Sequence, residues 1–462
     1  MNTESALNAP QSFVPSDDVP GPKGVPFFGV INEFRKDPLA GALKAAREFG
    51  DLSVHPLVER VFFASHPDYV KHVLQDNHLN YQKGWVYARI KALTGEGLLT
   101  SEGDHWKRQR RLSQPAFHKQ RIASFAQTMS DRTKDMVDGW SPAARNGDVI
   151  DMHAEMMRLT LRIAGQTLFS VDLGDAAERV GDAFSVVLEI LNARTSTFVV
   201  FPKSIPTPEN VRFARAMKVL DDVVEKVIEQ RRHAAPGEHH DLLAMLMESK
   251  DADTGETMND RQLRDELMTM MLAGHETTAN ALAFSFYLLS KNPGVTRKVI
   301  EEVDRVLGGR TPTAQDAMQL QYTLRVIQEA MRLYPPAWIF SRKAIKEDVI
   351  GGYRIPAGAT VVMSPWALHR DPRFWENPEG FDPDRFTEER SAGRPKTSYV
   401  PFAAGPRMCI GAGFALMEAQ IILAMVLQRY RPELVAGYDL ELEPLVTLRP
   451  KGGIQMTLRP AV

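Results

Sequence analysis

The chain contains a single cysteine, Cys409, in 462 residues, and it lies in the glycine-bounded loop FAAGPRMCIG at residues 402–411. One cysteine excludes an intrachain disulfide, so the thiol is available for other chemistry. The residues after the loop have helical spacing, and the N–H groups of a helix N-terminus, together with Arg407, are predicted to lower the pKa of the thiol. An isolated cysteine is most often a small buried hydrophobe. The ordered residue types around Cys409 indicate instead a thiolate that binds a metal.

This loop resembles the cysteine-loop motif of the haem-thiolate monooxygenases, the cytochromes P450. Phe402, Gly405, Arg407, Cys409 and Gly411 fall at the family's positions. The resemblance implies a haem b cofactor with Cys409 as the proximal iron ligand. It also implies that Phe402 packs against the sulfur, that Arg407 pairs with a haem propionate and that Gly411 contacts the cofactor.

The resemblance extends over roughly residues 20–460. The segments RLYPP at 332–336 and FDPDRF at 381–386 are similar to the branch that includes the fatty-acid hydroxylases. The family resemblance implies a mainly α fold with small β-sheets, in which haem is buried between a long central helix and the cysteine loop. Residues 1–19, rich in Ser, Asn, Asp and Pro, are predicted to be a disordered tail, and residues 20–462 a single monooxygenase domain.

The residue pattern beyond the tail predicts mostly helices, with strand signals at 54–64, 349–363 and 446–458. The longest predicted helix begins after Asn259, with Gln262 completing a capping box, and ends at Lys291. A second helix is predicted to end at Leu333, before two prolines. A third is predicted to follow Cys409.

The middle of the long helix carries Ala273-Gly-His-Glu-Thr-Thr278. Glycine and backbone-bonding hydroxyls are disfavoured inside a helix, so a local kink or widening is predicted. Taken alone, these threonines could equally serve helix packing, and Glu276 could be solvated. The family resemblance implies that Glu276 and Thr277 are catalytic and deliver protons to bound dioxygen, and that Ala273 and Gly274 contact the haem.

Three further groups of residues resemble family motifs. Glu329 and Arg332, three apart on one helix face, resemble the Glu-x-x-Arg pair, which implies a buried structural triad with Arg385. Trp106 and Arg110, four apart, resemble a Trp-x-x-x-Arg pair whose N–H groups bind haem propionates, and Arg342 is a further candidate. The regions of the family that contact substrate correspond to a set of mostly apolar residues: Leu98, Leu99, Ala273, Ala337, Trp338, Ile339 and Thr447.

The substrate implied is a fatty acid, a terpenoid or another lipophilic molecule. With 56 basic and 58 acidic residues the net charge is −2, which gives no indication of nucleic-acid binding. A local basic excess that includes Lys107, Arg108 and Arg111 predicts docking of an acidic ferredoxin or flavodoxin, which would bring electrons from an NAD(P)H reductase. The absence of an apolar N-terminal run predicts a cytoplasmic protein without a membrane anchor.

Other functions stay open at this point. A peroxide-driven or isomerising haem-thiolate enzyme would need no oxygen-activating relay, and a haem-based sensor or binding protein would need neither Glu276 nor Thr277. His275-Glu276 begins like a zinc-protease motif, but position 279 is alanine where the second histidine would be needed.

Overall fold

The computed structural model describes residues 14–23, 31–56, 60–172, 176–195, 201–202, 204–233, 241–251 and 255–461. Residues 1–13 of the predicted tail lie outside these ranges. Residues Val14–Asp18 are ordered: Val14 exchanges backbone hydrogen bonds with Gly352 and Arg354, at 3.1 and 3.0 Å. The prediction of disorder up to residue 19 is therefore wrong for this part, which is held by backbone pairing that composition alone does not reveal.

Helices dominate the described chain. In chain order they are α1 (Ile31–Lys36), α2 (Pro38–Glu48), α3 (Pro67–Lys71), α4 (Trp85–Thr94), α5 (Gly103–Ser113), α6 (Lys119–Ser124), α7 (Ala126–Gly139), α8 (Ser141–Asn146), α9 (Met152–Phe169), α10 (Ala176–Thr195), α11 (Pro208–His233), α12 (Leu242–Glu248), α13 (Asp260–Lys291), α14 (Pro293–Leu307), α15 (Ala314–Gln319), α16 (Gln321–Leu333), α17 (Pro365–Leu368), α18 (Glu388–Ser391) and α19 (Ala412–Arg429).

The strands are short and scattered along the chain. They are β1 (Leu52–Pro56), β2 (Arg60–Ala64), β3 (Tyr81–Lys83), β4 (Ile150–Asp151), β5 (Phe340–Ala344), β6 (Asp348–Ile350), β7 (Tyr353–Ile355), β8 (Thr360–Met363), β9 (Tyr430–Leu434), β10 (Leu442–Pro444), β11 (Leu448–Pro450) and β12 (Gln455–Pro460). The predicted mainly α fold with small sheets is confirmed.

The chain divides into two compact units. The smaller unit contains the chain through Gly84 together with Ile339–Phe374 and Pro395–Arg407. The larger unit contains Trp85–Trp338, Trp375–Arg394 and Met408–Val462. Each unit is assembled from segments far apart in sequence, which explains why local patterns did not indicate the division.

The smaller unit is built on a sheet of strand order β1-β2-β8-β5-β3, in which β2 and β8 are parallel and the other pairs antiparallel. One face packs on a core that includes Phe62, Val70 and Val361. Beside it the β6–β7 hairpin is tied down by Asp348, whose carboxylate accepts hydrogen bonds from His72 at 2.8 Å and Tyr81 at 2.6 Å.

The larger unit is organised around α13. The Asn259 side chain accepts from the Gln262 N–H at 3.0 Å and the Gln262 side chain accepts from the Asn259 N–H at 2.9 Å, so the predicted capping box is confirmed. With 32 residues the helix is about 50 Å long. It packs against α9, α11, α16 and α19, and residues on every side of it are buried.

Helix α19 begins three residues after Cys409, as predicted. It is the one helix among the described residues that is long and apolar enough to cross a membrane, and 61% of its 18 residues are buried inside the protein. Such burial is typical of a core helix.

Candidate active site

The cysteine loop joins a 3₁₀ turn at Gly405–Arg407 to the N-terminus of α19. Gly405 has φ +71°, and a Cβ there would lie 2.0 Å from the Leu74 carbonyl oxygen, so only glycine fits this turn. Gly411 is the N-cap residue of α19, and an added Cβ would make only ordinary contacts. Gly411 is therefore not required by the packing of the protein itself.

Cys409 is exposed, although neighbouring protein groups partly desolvate its sulfur. Desolvation raises its pKa, while a hydrogen bond from the Gly411 N–H and the positive charge of Arg110 act in the opposite direction. The helix N–H contribution was predicted, whereas Arg110 was not expected to act on the thiol. The predicted lowering of the pKa is wrong for the polypeptide itself, because desolvation outweighs both favourable contributions.

Helix α5 carries Trp106 and Arg110 on one face. Nη1 of Arg110 donates to the Met408 carbonyl at 2.9 Å, which ties α5 to the residue before the cysteine. Burial lowers the pKa of Arg110, and the thiol raises it. The guanidinium has other N–H groups, which suit a carboxylate.

Three residues of α13, Ala273, Gly274 and Thr277, are exposed or partly exposed, although the residues on either side of them are buried. We call this accessible part of the helix the window. Ala273 and Thr277 lie on one face, one helical turn apart, while a Cβ added at Gly274 would meet Ala164 and Leu168 of α9 at 3.6 and 3.8 Å. The helix remains α-helical here, so the predicted widening is not seen. The Thr277 hydroxyl donates to the Ala273 carbonyl at 2.8 Å.

Glu276 lies next to this window but is buried, with 2% of its surface exposed. Burial raises the pKa of its carboxyl, while a hydrogen bond from Thr447 and the charge of Arg449 lower it. Its Oε2 atom has no hydrogen-bond partner among the described residues. A buried carboxyl whose pKa is raised, with one oxygen that has no hydrogen-bond partner among the described residues, can hold a proton and pass it to a neighbouring acceptor.

The predicted triad of Glu329, Arg332 and Arg385 is present in the larger unit. The Glu329 carboxylate accepts from Arg332 Nε at 2.6 Å, from Arg332 Nη2 at 2.8 Å and from Arg385 Nε at 3.2 Å. All three side chains are buried. Arg332 also donates to the carbonyl oxygens of Pro378 and Gly380, at 2.6 and 2.9 Å, so the triad holds the loop before Arg385.

Two of the predicted pocket segments lie against each other. Trp338 Nε1 donates to the Leu445 carbonyl and the Leu448 N–H donates to the Pro336 carbonyl, both at 2.9 Å. Ala337 lies between these contacts and is partly buried. Thr447, in the turn between β10 and β11, is buried and bonded to Glu276 and Asn280.

The third predicted segment, Leu98 and Leu99, is fastened to α13 by two acidic side chains that sequence reasoning missed. Asp265 accepts from the Glu96 N–H at 2.8 Å and Glu266 accepts from the Leu98 N–H at 3.1 Å. Their signal was available, since two adjacent acids in an apolar helix call for specific partners.

Four predicted site residues belong to the smaller unit. Ile339 precedes β5 and Arg342 lies within it, buried, with Nη1 donating to the Ser341 carbonyl at 2.8 Å. Phe402 and Arg407 are partly buried.

Comparison with known proteins matches this architecture to one family. The family model for cytochrome P450 matches residues 19–457. Cyclooctatin synthase of Streptomyces melanosporofaciens is 36% identical over 442 residues, or 95% of this chain and 95% of the relative. Cyclooctat-9-en-7-ol 5-monooxygenase of the same organism is 35% identical over 422 residues, or 91% of this chain and 90% of the relative.

Among solved structures, the crystal structure of the cytochrome P450DA heme domain superposes with a TM-score of 0.88 at 28% identity, covering 97% of this chain and 98% of that one. Fold and matches together define a haem-thiolate monooxygenase. The chain belongs to the cytochrome P450 family, whose cofactor is haem b bound through a cysteine thiolate. The single exposed cysteine before a helix N-terminus, the Arg110 donor and the window in α13 fit that cofactor.

Proposed function

We propose that this enzyme inserts one oxygen atom of O2 into a C–H or C=C bond of a lipophilic substrate. The other oxygen atom is released as water, which consumes two electrons and two protons. The observation that carries the proposal is the window at Ala273, Gly274 and Thr277 beside the buried acid Glu276. A small-molecule site next to a protected proton donor is what this reaction needs.

Haem bound through a thiolate supplies the activation of dioxygen, because the thiolate pushes electron density onto the iron. In the larger unit we assign Cys409 as the ligand, Gly411 as the donor of a backbone hydrogen bond to its sulfur, and Trp106 and Arg110 as propionate partners. Both are pure donors, which suits carboxylates.

The smaller unit supplies the remaining proposed cofactor contacts. Arg342 and Arg407 are further candidates for propionate binding, and Phe402 is a further cofactor-binding candidate. Ala273 and Gly274, in the larger unit, would contact the cofactor. These assignments are carried over from the family motifs.

Glu276 and Thr277 have different roles in proton delivery. The neutral Glu276 carboxyl, favoured by burial, donates a proton through its free oxygen. The Thr277 hydroxyl, at the window, hands protons on to the reacting oxygen, and its bond to the Ala273 carbonyl holds it in place. General acid catalysis of this kind contributes about 10²–10⁴-fold.

The test compares Thr277→Val with a matched control on the same helix, Thr269→Val. Both hydroxyls donate to the carbonyl four residues back, at 2.8 Å for Thr277 and 2.7 Å for Thr269, but only Thr277 lies at the window. With NADPH, a ferredoxin, its reductase and ¹⁸O2, Thr277→Val should consume reductant at near the normal rate while releasing peroxide in place of labelled product. Thr269→Val should keep the normal product yield.

Equal product yields in the two variants contradict the assignment of Thr277. Labelled product formed only with NADPH and both redox proteins supports the oxygenase. Equally fast turnover with hydrogen peroxide alone would favour the peroxide-driven alternative. Consumption of reductant without any product, across a panel of lipophilic compounds, would favour a sensor.

For the substrate, a carbocyclic, terpenoid-type molecule is better supported than a fatty acid. One similar enzyme is named for a monooxygenation of cyclooctat-9-en-7-ol, which by its name is a cyclic alkenol. The proposed substrate-contacting residues of the larger unit are Leu98, Leu99, Ala273, Ala337, Trp338 and Thr447. None of them is a cation, and burying a fatty-acid carboxylate without one is costly.

Spectral titration of the purified holoenzyme tests the substrate class, because displacement of water from the iron changes its absorption. Carbocyclic alcohols and hydrocarbons should give the shift at lower concentrations than fatty acids of equal carbon number. Tighter binding of the fatty acids, weakened by raising the salt concentration, would contradict the proposal.

The proposed docking face for an acidic ferredoxin or flavodoxin borders a surface cavity with a volume of about 900 Å³. Its lining residues include Trp106, Lys107, Arg111 and Arg121. Lys107 and Arg111 are exposed, although Arg111 also pairs with the buried Asp251 at 2.6 Å. Arg108, predicted as part of this face, has a side chain only 16% exposed and pairs with the buried Asp251. It is therefore an internal ion-pair partner and a poor docking residue.

Charge reversal tests the docking face. Lys107→Glu should slow reduction by the ferredoxin several-fold at low salt and flatten its salt dependence, because steering by charge is screened by ions. Lys218→Glu is the matched control, since both lysines are exposed and pair with an acid on their own helix, Asp104 at 3.0 Å and Asp222 at 2.8 Å. Equal reduction rates in the two variants would remove Lys107 from the docking face.

We also propose a cytoplasmic location. The similar enzymes named above are bacterial. The membrane-length helix found among the described residues is mostly buried. Fractionation of cells that produce the protein tests this, with the haem absorption expected in the cytosolic fraction.

A further inference from the structure

Glu276 is the end of a chain of polar side chains that leads through the larger unit. Its carboxyl is hydrogen-bonded to Thr447. Asn280 Nδ2 donates to Thr447 Oγ1 at 3.3 Å, and Asn280 Oδ1 lies 2.8 Å from His153 Nε2. The chain therefore joins α13, the β10–β11 turn and α9. Glu276, Thr447 and Asn280 are buried, whereas His153 is partly exposed.

The donors of this chain all point towards Glu276. The Asn280 carbonyl only accepts, so His153 Nε2 carries the proton in their bond. The Asn280 amide group only donates, so it occupies a lone pair of Thr447 Oγ1. The hydroxyl proton of Thr447 is thus left for the Glu276 carboxyl. Since Oε2 of Glu276 has no partner among the described residues, the hydroxyl binds Oε1.

Thr447 is itself fixed by its surroundings. Its carbonyl accepts from the Leu445 N–H at 3.0 Å, and the Leu445 carbonyl accepts from Trp338 Nε1 at 2.9 Å. These bonds to backbone carbonyls fix the turn that carries the Thr447 hydroxyl.

We propose that Thr447 and Asn280 are positioning residues for Glu276: they hold one carboxyl oxygen in place and leave Oε2 as the oxygen that exchanges protons. This inference rests on the proposed role of Glu276 in proton delivery. It gives Thr447 a role in proton delivery in addition to the predicted one in the pocket wall.

The charged groups around the chain are consistent with this role. Arg449 lowers the pKa of Glu276, and its own charge is balanced by Glu443 at 2.7 Å and Glu189 at 3.4 Å. Burial lowers the pKa of His153, so a neutral imidazole donates to Asn280 at neutral pH. These hydrogen bonds therefore do not depend on a change in the charge of His153 at neutral pH.

The test uses the holoenzyme and four variants. Glu276→Gln identifies the infrared absorption band of the Glu276 carboxyl by its disappearance. Thr447→Val should shift that band and raise the pH at which it titrates by about one unit, a tenfold change in the protonation equilibrium. It should also lower product formed per O2 consumed about three- to tenfold. Thr447→Ser should restore both properties, and Asn280→Leu should change them in the same direction as Thr447→Val.

An unchanged band and unchanged coupling in Thr447→Val would overturn the proposal. So would a change confined to the substrate dissociation constant, which is the result expected if Thr447 only contacts substrate. If Thr447→Val fails to bind haem, Asn280→Leu decides by the same two measurements. Normal coupling in Glu276→Gln would instead refute the role of Glu276, while the band in Thr447→Val would still report whether Thr447 holds the carboxyl.

Discussion

Replacing Glu329 with glutamine removes a carboxylate that lies between two buried guanidinium groups, those of Arg332 and Arg385. The wild-type carboxylate accepts from Arg332 twice, from Arg385 and from the Asp382 N–H, the last at 2.9 Å. Glutamine keeps the volume but offers a single acceptor oxygen, and its amide N–H groups face other donors. Breaking a buried ion pair on one side costs about 3–5 kcal/mol. That is a large fraction of the roughly 5–15 kcal/mol that stabilise a folded protein.

The assay is urea unfolding followed by haem absorption and tryptophan fluorescence, with haem content per polypeptide measured first. Glu329→Gln should bind less haem and unfold at clearly lower urea. The matched control is Lys298→Gln, which also converts a charged partner to an amide, but in an exposed pair with Asp384 at 2.9 Å. The control should cost under about 1 kcal/mol. Equal midpoints for the two variants would refute the view that burial gives the triad its importance.

Two further predictions concern the smaller unit. Gly405→Ala should destabilise the protein by about 1–3 kcal/mol, because its Cβ would meet the Leu74 carbonyl. Gly437→Ala, which also has a positive φ of +76° but has nothing within 4 Å of an added Cβ, should cost less in the same urea titration. Equal losses of stability in the two variants would show that the contact with Leu74 does not set the cost. Although burial opposes ionisation of Asp348, hydrogen bonds from His72 and Tyr81 lower its pKa to about 2. This group contributes stability above the unfolded-state pKa of about 4, and the contribution is lost as pH falls towards 2. Asp348→Asn should therefore cost about 1–2 kcal/mol at pH 7 and lack that part of the acid dependence; a variant with the wild-type acid profile would contradict the assignment.

Local signals in the sequence predicted the elements that carry the site. The Asn259–Gln262 capping box, the prolines after Leu333 and the helical spacing after Cys409 each act within a few residues, and all three helices are confirmed. The Glu329–Arg332 pair could be predicted for the same reason. Its burial was implied only by the family motif.

What could not be predicted depends on contacts between distant residues. Asp251 pairs with Arg108 and Arg111, which lie more than a hundred residues earlier in the sequence. Fewer of these basic side chains are therefore available for docking than the sequence indicates. Thr447 and Asn280 are 167 residues apart. No spacing rule connects them, and only the packing of a hairpin turn on α13 brings the hydroxyl to the amide.

The central claim is that the Cys409 sulfur binds haem iron as a thiolate. The most direct measurement is the absorption spectrum of the reduced, carbon-monoxide-treated holoenzyme beside that of Cys409→Ala. The strongly red-shifted Soret band of a thiolate-ligated haem is expected in the wild type and should be lost in the variant. A wild-type spectrum without that band, or a variant that retains it, would contradict the account.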